Sequence, residues 1–188
     1  MNDQDIVLQF LQGNKKIFEM LLDRYEKQIY IHVLGVLVHQ QDALDVTQEI
    51  FIKVYENLHA LKNHTRLKYW IYQIAINSCR NFLRRKNFFY WISFDWLTEN
   101  NYEQLNNQYQ LQDFEQQVES QEDKVFLMKS LEKLSYQQRE LIMLRFVNEL
   151  SYEEMQHILG LKLGTVKSRL NRAKKDLKRF MLIEKTYE

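Results

Sequence analysis

The chain contains no proline and only four glycines in 188 residues, where average usage would give about nine prolines. These two residue types punctuate a backbone most strongly. A chain nearly free of them has few obligatory breaks. Alternating apolar and polar runs bounded by hairpin turns are absent as well. Both facts predict an all-α protein, and the length permits one ordinary domain or two small ones.

Apolar periodicity then divides the chain into helices. Residues 4–12 carry Ile6, Val7, Phe10 and Leu11 on one face and stop near Gly13. A long helix from Lys15 places Ile17, Phe18, Leu21, Leu22, Tyr25, Ile29, Val33 and Leu37 at core spacing. Gly35 inside it costs about 1 kcal/mol relative to alanine, a cost that two closely packed faces can offset. The next helix, 42–58, buries Val46, Ile50, Phe51, Val54 and Leu58. A polar loop over 59–66 leads to a helix over 67–86, whose buried side is Ile71, Tyr72, Ala75, Ile76, Cys79, Phe82 and Leu83. After residue 123 two more helices divide near Leu134-Ser135-Tyr136, with Leu141, Ile142, Leu144 and Phe146 as core of the second.

The stretch 151–180 is the most specific. Ser151 and Glu154 have capping-box spacing, Met155, Ile158 and Leu159 form an apolar stripe, and Gly160 suits a left-handed helix end. In the following helix Val166, Leu170, Ala173, Leu177 and Phe180 share a narrow arc. Between Lys162 and Arg179 there are eight Lys/Arg and one acid, Asp176. A lone charged helix is usually a solvated face. A capped helix and tight turn before it favour a helix-turn-helix whose second helix enters a DNA major groove.

A net charge of +1 hides a division into three. Residues 1–86 hold 12 Lys/Arg and 9 Asp/Glu, residues 87–123 hold 8 Asp/Glu and no Lys/Arg, and residues 124–188 hold 14 and 8. Two basic modules joined by an acidic, Gln/Asn-rich linker are expected, and the linker resists nucleic acid by its own charge. Cys79, the only cysteine, allows no internal disulfide, which fits a reducing compartment; an inert buried thiol is expected. No signal-peptide pattern opens the chain, and the longest apolar run, 29–38, is too short to span a bilayer. The expectation is a soluble cytoplasmic protein without direct membrane insertion.

Two surfaces besides the last helix stand out. On the 42–58 helix, Asp42, Asp45, Gln48, Glu49, Ile52 and Glu56 cluster opposite the core, an acidic stripe with an isoleucine in its middle. That is either an ordinary solvated face or a partner surface. A metal site from His39, Asp42, Asp45 and Glu49 has suitable ligand chemistry, but nothing elsewhere in the sequence converges on it. On the 67–86 helix, Trp70, Gln73, Asn77, Arg80, Asn81 and Arg84 share an arc, with Arg85 and Lys86 beyond. An aromatic ring, amides and guanidinium groups on one strip can stack on a base, read its edge and hold phosphates. The plain alternative is a core tryptophan beside solvated polar residues.

Three segments carry a family resemblance. Asp42-Ala43-Leu44-Asp45-Val46-Thr47-Gln48-Glu49-Ile50-Phe51 is similar to the polymerase-binding helix of bacterial RNA polymerase sigma factors of the housekeeping type, in their extracytoplasmic-function (ECF) subgroup. Trp70-Ile71-Tyr72-Gln73-Ile74-Ala75-Ile76-Asn77 with Arg84-Arg85 resembles that family's −10 promoter helix. Leu150 to Glu154, Gly164 to Leu170 and Arg172-Ala173 resemble its −35 helix-turn-helix. Gln156 stands where the family usually has a small residue, Ser135 where proline is usual, and Lys162-Leu163 where proline or an acid is common.

The resemblance implies an alternative sigma factor, not an enzyme, without cofactor or metal. Its expected organisation is a region 2-like domain over 1–86, an acidic linker over 87–123 and a region 4-like domain over 124–188. Asp42, Asp45, Gln48, Glu49 and Ile52 would meet the clamp coiled coil of the largest core polymerase subunit, with a further contact to the flap region. Leu61, Lys62, Trp70, Gln73, Asn77, Arg80, Arg84 and Arg85 would capture the melted −10 strand. Thr165, Lys167, Ser168, Arg169, Arg172 and Lys175 would hold duplex −35 DNA, and the linker would thread through the polymerase near the RNA path. An anti-sigma factor is an implied partner. Two rivals remain: a helix-turn-helix regulator that binds operators without polymerase, and a helical metal-dependent nuclease or hydrolase.

Overall fold

Helix α2, Phe18–Leu37, is the member against which most of the rest is packed in the computed structural model, which describes residues 1–93 and 121–184. Before it come α1 (Asp3–Leu11) and a 3-10 turn (Lys15–Ile17); after it come α3 (Gln40–Asn57) and α4 (Leu67–Ser93). Helix α1 starts with a reciprocal cap between Asn2 and Asp5, which satisfies two of the backbone donors a helix start leaves open. Helices α2, α3 and α4 pack on one another, and α1 lies on α2. The expected core residues of α3 are all buried, as are Ile71, Tyr72, Ala75, Ile76 and Cys79 of α4. Burial pushes the Cys79 thiol up to about 12, so this sulfur is an unreactive apolar filler.

The connection between α2 and α3 is only Val38 and His39. Val38 closes α2 in the left-handed region (φ 56), its N–H on Leu34 O at 2.8 Å. His39 caps α3, accepting from the Asp42 N–H. Between α3 and α4 the expected loop is two short 3-10 turns, Leu58–Ala60 and His64–Arg66. Helix α4 continues to Ser93, past the expected end at Lys86, because no glycine or proline interrupts it. Residues 94–120, the bulk of the expected acidic linker, lie outside the described residues.

The second half comprises α5 (Gln121–Glu132), α6 (Tyr136–Ile142), α7 (Tyr152–Leu159) and α8 (Leu163–Glu184). Ser135, capping α6 reciprocally with Gln138, supplies the helix start. Helix α6 widens into a π turn over Met143–Val147, which rotates the residues after it. Phe146 therefore leaves the expected core and is 49% exposed, with the Lys174 ammonium 5.6 Å from its ring. Helix α8 lies across α5, α6 and α7, burying Val166, Leu170 and Ala173.

These are two helical domains, and they are docked. Helix α6 and the π turn lie on α2, and α7 lies on α4. One buried cluster runs through both, from Ile6 to Ala173. Gly35 is the seat of this contact: a Cβ there would collide with the Met143 side chain. Around the seat, Arg139 Nε donates to Val36 O at 2.6 Å and His32 Nδ1–H donates to Asn148 Oδ1 at 2.9 Å.

His32 has no surface exposure, and desolvation holds its imidazole down at about 4. The unfolded chain protonates it near 6.5, so its contribution is complete above that pH and is lost as pH falls toward 4. The full difference is roughly 3 kcal/mol. Chemical denaturation from pH 7 down to pH 4 should show a steeper loss of stability in the wild type than in His32→Gln; parallel curves would refute the assignment.

Candidate nucleic-acid and partner interfaces

Three surfaces emerge, each positioned by a helix whose other side is core. The first is the outer face of α3. Because Ala43, Val46, Ile50 and Val54 face inward, Asp45, Gln48 and Ile52 are exposed, Ile52 to 58%. Two other acids of this face, Asp42 and Glu49, are engaged by cations. Asp42 accepts from Lys86 Nζ at 2.6 Å, while Glu49 accepts from Lys53 Nζ at 2.6 Å and Arg85 Nη2 at 3.3 Å. The Lys53 hydrogen bond, reinforced by both cations, holds the Glu49 carboxyl below the usual carboxylate range despite partial burial. Of the four residues considered for a metal, His39 caps α3 with its Nδ1 3.3 Å from Asp42 Oδ2, Asp42 and Glu49 are each held by a lysine, and Asp45 is exposed. Among the described residues no three His, Cys, Asp or Glu converge.

The second surface is the outer strip of α4. Trp70 is half-buried and forms a wall shared by two clefts. One, about 450 Å³, is lined by Lys53, Asn57, Ala60, Trp70, Ile74, Asn77, Ser78 and Asn81. Amides, an ammonium and an indole face are the groups that receive an unstacked base. Lys53 Nζ is anchored there by donating to Ser78 Oγ at 3.0 Å. The other, about 400 Å³, contains Leu61, Asn63, Arg66, Tyr69, Trp70 and Gln73 from the first domain, faced by Glu153, Glu154 and His157 of the second. Leu61 is buried in its wall, whereas Lys62 and Arg84 are exposed.

Part of this strip meets the second domain directly. Tyr69 donates to Glu154 Oε1 at 2.8 Å, Gln73 to His157 O at 3.4 Å, and Arg80 Nη2 to Glu140 Oε2 at 2.9 Å. Only 4% of the Glu140 side chain is exposed, and desolvation raises its carboxyl even with Arg80 beside it. Sequence reasoning missed Glu140, because an acid in a short helix reads as a solvent residue until its partner sixty positions away is placed.

The third surface is the outer side of α8. Ser151 Oγ accepts from the Glu154 N–H at 3.2 Å, and Glu154 Oε2 accepts from the Ser151 N–H at 2.6 Å. Gly160 takes the left-handed position at φ 65. The turn closes tightly even with Gln156 in α7, since its carbonyl accepts from the Leu161 N–H at 3.3 Å. Lys167, Ser168, Arg169, Arg172 and Lys175 are exposed along α8, and Thr165 is partly so. Beside them the Tyr152 ring lies between the cations of Arg145 and Lys167, at 5.3 and 5.4 Å. Arg145 and Tyr152 extend the basic face beyond the expected residues; their sequence positions, before and at the start of α7, gave no periodic signal.

The Ser151 cap stabilises the whole turn motif. Ser151→Ala should cost about 1 kcal/mol, lowering the thermal midpoint, while Ser151→Asp should retain most of it; equal midpoints for wild type and Ser151→Ala would remove the cap from this account.

Comparison with known proteins matches two stretches of the chain to family descriptions. Residues 21–89 match Sigma-70 region 2 and residues 121–177 match Sigma-70, region 4. The ECF RNA polymerase sigma-E factor of Haemophilus influenzae is 30% identical over 180 residues, covering 93% of this chain and 92% of that protein. Its counterpart in Escherichia coli K12 is 30% identical over 178 residues, covering 93% and 91%. Among solved structures, CnrH in complex with the cytosolic domain of CnrY superposes with a TM-score of 0.68 at 20% identity over 95% of this chain and 96% of that one. The sigma factor RpoE in complex with the anti-sigma factor NepR from Bartonella quintana gives 0.68 at 24% identity over 89% and 98%. At those identities the two structures speak to the fold.

Proposed function

The chain belongs to the ECF group of sigma-70 RNA polymerase sigma factors and directs promoter recognition, and we propose that its three surfaces divide that work between polymerase, melted strand and duplex. The outer face of α3, with Asp45, Gln48 and Ile52 exposed and Asp42 and Glu49 beside them, binds core polymerase. The isoleucine supplies apolar contact, and the acids select a basic partner surface. No helix among the described residues is long and apolar enough to cross a membrane, in keeping with work beside polymerase in the cytoplasm.

The α4 strip takes the −10 strand after its bases leave the stack. One base enters the cleft between Trp70, Asn57 and Asn77, where amides read its edge and the indole supports its face. Gln73, Arg80 and Arg84 hold the strand beside it, and Lys62 adds charge at the loop. Base–aromatic stacking contributes about 1–3 kcal/mol per base. Strand separation is thereby driven by binding, and no bond-making step is assigned to the chain. The single observation that carries this reading is that half-buried Trp70 is a common wall of two clefts, each with amide and charged side chains in its lining.

The exposed side of α8 enters the major groove of the −35 duplex, with Thr165, Ser168, Arg169 and Arg172 toward base edges or phosphates and Lys167 and Lys175 along the backbone. The acidic segment between the domains passes along polymerase without competing for DNA. An anti-sigma factor that covers these faces completes the set of partners.

Capture of core polymerase on the immobilised protein tests the first assignment. Asp45→Ala with Glu49→Ala should lose most of the captured polymerase, and undiminished capture would sink it. For duplex DNA, Lys167→Ala should weaken binding similarly across sequences and reduce the slope of log affinity against log salt by about one. An unchanged slope would remove Lys167 from the phosphate contacts.

A further inference from the structure

The loop that borders the −10 strip, residues 61–66, is packed against a helix that belongs to none of the three surfaces. We infer that this helix, α1, is a positioning element for the loop and that Asp3 is the residue that fixes it. By locking α1 to α2, Asp3 sets where the His64–Arg66 turn stands, and so where Asn63 and Arg66 meet a single strand. The inference rests on the −10 reading of α4 given above.

Helix α1 is pinned at both ends. At its start the Asp3 carboxylate accepts from the Tyr25 hydroxyl at 2.5 Å and from the Arg24 guanidinium, and Arg24 Nη2 also donates to Met1 O at 2.9 Å. Tyr25 is buried. Burial, and after it the hydrogen bond to Asp3, raises its hydroxyl above the usual tyrosine range, so it stays a donor. At the other end Phe10 lies against the Phe18 and Tyr55 rings, with centroids 5.9 and 5.2 Å apart, and the Lys15 ammonium sits 3.7 Å from the Phe10 centroid. Ile6 and Val7 between them have no surface exposure. Apolar contact is non-directional and tolerates sliding. The carboxylate contacts are directional, and they set the register of α1 on α2.

The side-chain hydrogen bonds of the loop among the described residues are internal. Asn63 Oδ1 accepts from the Thr65 N–H at 3.1 Å and from the Thr65 hydroxyl at 2.7 Å. These bonds make the turn a unit without placing it. Placement comes from α4, into which the turn runs, and from α1, which packs on it. Asn63 and Arg66 in turn line the cleft beside Trp70. Groups held in place before a ligand arrives lose less freedom on binding, so a loop seated on a locked α1 binds a strand more tightly than the same loop on a loose one. The outer face of α3 is set by Ala43, Val46, Ile50 and Val54 beneath it and does not share this dependence.

The full chain assembled with core polymerase and titrated with a short single-stranded DNA pool of randomised sequence tests this. Asp3→Ala should weaken binding by roughly fivefold, the scale of one side chain that must be ordered on binding. Tyr25→Phe should weaken it less, and Asp3→Asn, which keeps an acceptor for the Tyr25 hydroxyl, should restore part of the loss. Capture of core polymerase should stay at the wild-type level in all three. Asp3 acts through the turn that carries Arg66, so Asp3→Ala in an Arg66→Ala background should cost clearly less than it does alone. Full multiplication of the two losses, or loss of polymerase capture in Asp3→Ala and Tyr25→Phe alike, would make α1 a general part of the core and overturn the inference. Unchanged single-strand affinity in Asp3→Ala, beside weakened binding in Trp70→Ala, would also overturn it and leave the −10 reading standing. Binding indifferent to both Trp70→Ala and Arg66→Ala would instead refute the −10 reading, and the inference with it.

Discussion

Everything in this molecule leans on the contact between the missing side chain of Gly35 and the Met143 side chain that fills its place. Helix α2 already serves the first domain through α1, α3 and α4, so only its remaining side is available to the second domain. A β-carbon at Gly35 would force the Met143 side chain to move, close to where Arg139 donates to the Val36 carbonyl at 2.6 Å. The conformational cost of glycine in mid-helix, about 1 kcal/mol, is offset by close approach rather than by any local benefit. The surrounding contact is unusually polar for a buried surface. Glu140 keeps one carboxylate oxygen without a protein partner, and so does the Nε2 of His32. Buried charges recover their desolvation only in part, so this contact specifies a geometry more than it adds stability. A polar contact between domains within one chain is the kind that opens.

The two surfaces of the first domain are linked through their charges. Glu49 on the outer face of α3 is held by Arg85 from α4, and Asp42 on the same face is held by Lys86. A basic partner approaching α3 therefore competes with cations of its own chain. The cations of both pairs are exposed and the acids only partly so, and ion pairs this close to solvent contribute little energy.

Helix identity and core were legible because the physical cause is local. A period of 3.6 in apolar residues places Val46, Ile50 and Val54 inward whatever the rest of the chain does, and the capping box at Ser151 needs only the four residues to Glu154. The misplacement of Phe146 has a cause equally local in space but silent in sequence. A π turn at Met143–Val147 shifts the phase, and no residue type announces it. The strip on α4 was legible as chemistry, but its partners were not. Arg80 meets Glu140 and Tyr69 meets Glu154 only after two domains have docked, and a contact between distant segments leaves no periodic trace in either.

The charge division has a consequence for how such a chain avoids binding itself wrongly. Both domains carry a net positive charge, and bare Coulomb repulsion disfavours their association at low salt. Docking succeeds because the second domain turns Glu140, Glu153 and Glu154 toward the first and keeps the cations of α8 outward. The attraction is thus local, between groups within hydrogen-bond reach, while the repulsion is spread over both bodies. Screening over about 8 Å at physiological salt removes the spread term and leaves the short contacts.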